Sequence, residues 1–174
     1  MHLFRMVPAA ALSAACLLPL SATAQQWIVR CDSPGPKPLC LDATTMAVPG
    51  RVQLSECKKG LEGQEWFAKK PGEKQIQNRW LSDGGKNNKG CLDLLVQFPF
   101  NLVATKDCDA NLVAQQWDFD QTNQNGAVIK NAYVSTECLS GPAIPFGTVQ
   151  PASCNWAPTW KFVNVGDERL GCPP

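Results

Sequence analysis

The sequence predicts an all-β domain of three equivalent units, each closed by its own disulfide and gathered round a shared core. Three observations predict it. A Cys-Leu-x start recurs at Cys40-Leu41-Asp42, Cys91-Leu92-Asp93 and Cys138-Leu139-Ser140. A second cysteine follows each start at near-constant distance: Cys57, Cys108 and Cys154. Each unit then reaches a tryptophan, in Gln64-Glu65-Trp66, Gln115-Gln116-Trp117 and Pro158-Thr159-Trp160. Landmarks that recur in one order at a fixed period are the signature of a repeat architecture. The units run over about residues 36–86, 87–133 and 134–172.

The local pattern within each unit is β. Val52-Gln53-Leu54 alternates, Trp66-Phe67-Ala68 does so less cleanly, Leu102-Val103-Ala104-Thr105 and Val128-Ile129 are β-branched-rich, and Trp160 to Val165 alternates well. Alternation puts one set of side chains on a buried face. Turn signals at Pro49-Gly50, Asp83-Gly84-Gly85 and Asn125-Gly126 separate the runs. Each unit fits about four short strands, about a dozen in all. A closed barrel capped by three hairpins leaves few open edges. A three-bladed propeller is the rival, though propellers typically have about four to eight blades. Trp66, Trp117 and Trp160 read as core anchors, with Gln64 and Gln115 buried and bonded to backbone.

The cysteines fit the same plan. Cys16 lies in the N-terminal apolar run, which leaves eight. Pairing within units gives Cys40–Cys57, Cys91–Cys108 and Cys138–Cys154. Cys31 and Cys172 remain, just before the first unit and just after the last, and a ring-like fold brings them together. The repeat selects this pairing from the 105 that eight cysteines allow.

Residues 1–24 read as a signal peptide: Arg5, an apolar run from Met6 to Leu20, then Ala22-Thr23-Ala24 before a cleavage point. The rival is a lipoprotein anchor at Cys16, but Ser13 stands where a bulky aliphatic is wanted. The run is too short to span a bilayer, and no later segment is a candidate transmembrane helix. Residues 25–174 form the expected single domain, secreted or periplasmic, with 15 basic and 15 acidic residues. That balance leaves no excess to neutralise phosphates, so nucleic acid is not expected as a partner.

The one histidine is His2, within the leader. Histidine-based nucleophilic triads and histidine-ligated metal sites are therefore excluded. No C-x-x-C pair suggests zinc, and Asp107 to Asp118 lacks the glycine and the glutamate of a calcium loop. No metal or cofactor is expected. No carboxylate pair is marked out for glycoside hydrolysis, so the chain is not expected to be an enzyme.

Cys-Leu-Asp, a paired cysteine and Gln-x-Trp, three times over, resemble the ricin-type β-trefoil lectins across about residues 36–165. The resemblance implies a β-trefoil and carbohydrate binding. It carries a sugar-contact role to Asp42, Gln53 and Lys58 in the first unit, to Asp93 in the second, and to Gln64 and Gln115 of the repeated motif. The sequence departs from the family pattern where a stacking ring belongs, with Ser55, Lys106 and Ala152 in the three units. Gly63 and Ala114 replace an asparagine, Ala104 a glutamine and Ser140 an aspartate, while Gln150 and Asn155 are kept. Trp27, Trp80, Tyr133 and Trp156 are the rings left to supply a platform. The first unit is the best candidate site. The expected partner is a glycan or glycoconjugate. The second reading is a protein-interaction subunit serving a separate toxin or enzyme chain, since lone trefoils resemble the accessory subunits of cytolethal distending toxin.

Overall fold

The computed structural model describes residues 25–45, 49–68, 74–97, 99–119, 123 and 125–167. The leader (1–24) and Cys172 lie outside the described residues. Twelve strands are present among those described, four to a unit when each unit is counted from the strand before its Cys-Leu-x start, which places β1, β5 and β9 ahead of residues 36, 87 and 134. Unit 1 holds β1 (Gln26–Arg30), β2 (Leu39–Ala43), β3 (Gly50–Glu56) and β4 (Trp66–Ala68). Unit 2 holds β5 (Ile76–Asn78), β6 (Cys91–Leu95), β7 (Leu102–Lys106) and β8 (Trp117–Asp118). Unit 3 holds β9 (Lys130–Asn131), β10 (Glu137–Ser140), β11 (Gln150–Ser153) and β12 (Trp160–Asn164).

The outer strands of each unit close a six-stranded barrel. β12 pairs with β1 from Gln26↔Asn164 to Arg30↔Trp160, β1 meets β4, β4 pairs with β5, and β8 pairs with β9. The ring is completed by Trp117 N donating to Lys74 O (2.9 Å) and by a bridge between Ala127 and Trp160. The inner strands form three hairpins, β2–β3, β6–β7 and β10–β11, which meet as a cap. Gly50 pairs with Thr105, and Leu54 exchanges hydrogen bonds with Phe146 and Gly147. The β-trefoil is thus present, with threefold closure rather than a propeller.

The core repeats as the sequence does. Ile28, Ile76 and Ile129 are fully buried at one equivalent position, and Leu41, Leu92 and Leu139 at another. The three tryptophans are buried among them, and each indole Nε1 donates to the leucine carbonyl of its own unit's start. Trp66 reaches Leu41 O (2.9 Å), Trp117 reaches Leu92 O (2.9 Å) and Trp160 reaches Leu139 O (3.1 Å). A buried indole N–H needs an acceptor, and here the same residue fills the core and supplies it. Cys40–Cys57, Cys91–Cys108 and Cys138–Cys154 tie each hairpin to the loop that follows. Cys31 is also disulfide-bonded.

One local expectation is corrected. Val128-Ile129 is not a strand. Its neighbour Ala127 bridges to Trp160 while Ile129 O accepts from Leu139 N (2.8 Å), so the run is bonded to two partners without a regular ladder. Among the described residues no helix is long and apolar enough to cross a membrane.

Candidate functional site

Asp42 sits near the end of β2, opposite Gln53 of β3 in the register. Alternation along these strands puts Ser55 on the same face, one step away. Ser55 Oγ donates to Asp42 Oδ2 (2.6 Å) and accepts from Gln64 Nε2 (2.6 Å). The same amide nitrogen reaches Glu56 O (2.9 Å), and Gln64 Oε1 accepts from Lys58 N (2.8 Å). A fully buried glutamine thus holds the loop after Cys57 and, through one hydroxyl, aims the Asp42 carboxylate. Burial pushes the Asp42 carboxyl above the usual aspartate range, and the hydrogen bond from Ser55, with the Gln64 amide beyond it, partly offsets that.

Unit 2 is built without the spacer. Gln115 Nε2 donates directly to Asp93 Oδ2 (2.9 Å) and to Asp107 O (2.8 Å). Gln115 Oε1 accepts from Asp109 N (2.8 Å) and from Gln75 Nε2 (3.0 Å). Asp93 is only 2% exposed. In unit 3, Ser140 of β10 lies opposite the exposed Gln150 of β11, without a carboxylate.

A cleft of about 310 Å³ opens over Asp42, walled by Ala43, Leu61, Glu62, Gly63 and Trp80. The close approach at Gly63 needs glycine, since a Cβ there would lie 2.6 Å from Ala43 O and 2.7 Å from Asp42 Oδ1. Glycine in place of the family's asparagine is therefore the counterpart of where Asp42 rests. Trp80, half-buried and packed against the core, lines this cleft as well.

Of the six residues expected at the sugar, the structure places only Asp42 in this cleft. Gln53 is half-buried opposite it, and its backbone bridges to Thr148. Lys58 is exposed and bonds Gln64 through its backbone N–H. Gln64, Gln115 and Asp93 are buried, with both glutamine amides and Asp93 Oδ2 hydrogen-bonded within the protein. Leu61 and Glu62 escaped the sequence reading. Their signal was present, because Leu61 and Leu112 stand at one position of the repeat and start matching 3₁₀ turns, Glu62–Gln64 and Val113–Gln115. A second missed repeat is Asn78 and Asn131. Both are fully buried, and their amides clamp Gly63 O (2.8 Å) and Ala114 O (2.9 Å). Each stands two residues before an aromatic, Trp80 or Tyr133.

The ricin-type β-trefoil lectin domain profile matches residues 37–155, which is most of the chain. The chain belongs to the ricin-type β-trefoil lectin family. No curated protein matches it. Solved ricin-type and related trefoils superpose on it. The Vibrio vulnificus hemolysin/cytolysin β-trefoil lectin, solved with N-acetyl-D-lactosamine bound, gives a TM-score of 0.60 at 22% identity, over 85% of this chain and 99% of that one. The Haemophilus ducreyi cytolethal distending toxin gives 0.61 at 15%, over 87% and 90%. A mosquitocidal holotoxin gives 0.64 at 11%, over 81% of this chain, which spans 17% of the toxin's length. At these identities the likeness is one of fold.

Proposed function

We propose that this ricin-type domain is an exported, non-catalytic carbohydrate-binding module that reads a galactose-type residue through unit 1. The observation that carries the reading is that Asp42 and Trp80 wall the same cleft. A carboxylate accepts charge-assisted hydrogen bonds from neighbouring hydroxyls. An indole offers a flat apolar surface to the C–H face of a sugar ring. The Vibrio trefoil with bound N-acetyl-D-lactosamine supports the choice of ligand class. The disulfides and the N-terminal apolar run with its Ala22-Thr23-Ala24 end support export.

Calorimetric titration with galactose and N-acetyl-D-lactosamine tests the proposal. Asp42→Ala removes a charged hydrogen-bond acceptor worth about 1.5–3 kcal/mol, so Kd rises about tenfold or more. Trp80→Ala weakens binding as well. Absence of binding, or binding unchanged in Asp42→Ala, sinks the reading.

One set of observations favours a second reading, a docking subunit for a separate toxin or enzyme chain. Trp156 is 86% exposed, and Phe100 and Phe146 are each 76% exposed. Large exposed aromatics are enriched where proteins meet. Co-purification of a partner that is lost in Trp156→Ala and kept in Asp42→Ala would favour it.

A further inference from the structure

A second cleft, of about 640 Å³, lies against the first. Glu62 and Trp80 belong to both. Its remaining wall is Gln25 and the stretch from Arg79 to Lys89 that leads into β6. We propose that this cleft receives the next residues of the same glycan, so that the protein recognises a neutral oligosaccharide rather than a terminal sugar alone. The proposal rests on the unit 1 reading and extends it across the indole.

Three features carry it. The first is that the connection walling this cleft is longer than its counterpart after Trp117. Trp66 and Cys91 are 25 positions apart, whereas Trp117 and Cys138 are 21 apart. The longer connection contains Asp83-Gly84-Gly85, three successive residues at positive φ (50°, 66° and 86°) that turn the chain back over the barrel. The second is that this loop is built rather than loose. Gly84 N donates to Arg79 O (2.9 Å), and Asn87 N donates to Ser82 O (3.1 Å). The buried Gln77 amide holds Asn87 O (3.1 Å) and Lys89 O (2.8 Å) from below. A preformed wall saves the ordering cost that weakens binding to mobile loops.

The third feature is charge. Arg79 reaches Glu65 Oε2 (2.5 Å) and Gln25 Oε1 (3.0 Å), with Glu62 at 3.9 Å. Lys86 pairs with Asp83 at 3.6 Å. Arg79 and Lys86 are therefore answered by carboxylates, and of the lining cations only Lys89 has no ion pair among the described residues. The wall thus offers mostly paired polar groups and one free ammonium donor, which suits a hydroxyl-rich chain better than a polyanion. Donors and acceptors set around one ring, in a cleft within the ~300–1,000 Å³ of ligand sites, suit a saccharide.

Titration of the full chain with galactose, N-acetyl-D-lactosamine and a tetrasaccharide of two such disaccharides tests the extension. Affinity is expected to rise about tenfold or more from the monosaccharide to the tetrasaccharide. The exposed pair changed in Lys86→Ala/Lys89→Ala loses that gain and keeps the monosaccharide affinity, while Asp42→Ala loses both. In amide NMR spectra, Gly84 and Gly85 shift with the tetrasaccharide and not with galactose. Equal affinity for all three sugars, still abolished by Asp42→Ala, overturns the extension and leaves the unit 1 site standing. So does a length-dependent gain that survives the double substitution with Gly84 and Gly85 unmoved. Binding to none of the three overturns both.

Discussion

Asp42 and Asp93 occupy the same position of the repeat, and one hydroxyl separates their fates. Ser55 stands between Asp42 and Gln64, and the Asp42 carboxylate lies at the cleft. In unit 2 the glutamine grips Asp93 directly, and the carboxylate is buried. The sequence shows Ser55 as the loss of a stacking ring. Its role as spacer was not legible, because it depends on a partner nine residues away across a loop. Ser55→Ala removes a donor to Asp42 and an acceptor for Gln64, leaving a buried amide short of a partner. A loss of about 1–3 kcal/mol is expected in urea denaturation. Gly63→Ala forces a Cβ against Ala43 O and Asp42 Oδ1, so glycan affinity falls as the carboxylate is displaced. The raised Asp42 pKa fixes a sign. Its folded value lies above the unfolded one, so its contribution to stability is present below the unfolded value and lost as pH rises through the folded value. Sugar binding through the ionised carboxylate, as proposed, runs the other way. Affinity measured by titration calorimetry is expected to fall on acidification, starting above the ~3.9 of an ordinary aspartate.

At the level of elements, each unit is held by a bridge, an indole staple and, in two cases, a buried glutamine. Unit 3 has Pro158 where units 1 and 2 have Gln64 and Gln115. Its loop after Cys154 lacks the amide that ties Lys58 N in unit 1 and Asp109 N in unit 2. The three bridges close loops of nearly equal length, 17, 17 and 16 residues, so the chain-entropy model assigns each about 3 kcal/mol. The glutamine breaks this tie. Cys138→Ala/Cys154→Ala is expected to lose more stability in denaturant titrations than Cys40→Ala/Cys57→Ala, in which Gln64 still anchors the loop. Equal losses would show the glutamine to be redundant with the bridge. The bridges, the staples and the strand count were legible because their landmarks recur at fixed spacing. The clamp of Asn78 and Asn131 was not read, since asparagine two residues after a buried isoleucine looks like ordinary turn chemistry until both copies are compared.

For the molecule as a whole, threefold closure was legible because three copies must bury a common core, and the tryptophans and leucines advertise it. Which copy remains open to a ligand was not, because that is decided between units. Gln75, on the approach to β5, adds its amide to Gln115 and thereby helps to seal unit 2. The residues after Trp66 supply Trp80 to unit 1. On the proposed unit 1 reading, the symmetry that builds the fold does not extend to binding. Unit 2 has its carboxylate buried, and unit 3 has a serine in its place. Calorimetry is accordingly expected to give one glycan per chain. A stoichiometry of two or three, or residual saturable binding in Asp42→Ala, would mean that burial of Asp93 yields to ligand or that unit 3 binds without a carboxylate. A single site, as proposed, would also set how the protein is used. One shallow contact on a lone chain gives little residence time, whereas chains clustered on a surface gain through effective concentration. Immobilised protein should then retain a multivalent glycan far longer than the soluble chain retains a monovalent one. That difference should vanish when Asp42→Ala removes the one contact being multiplied.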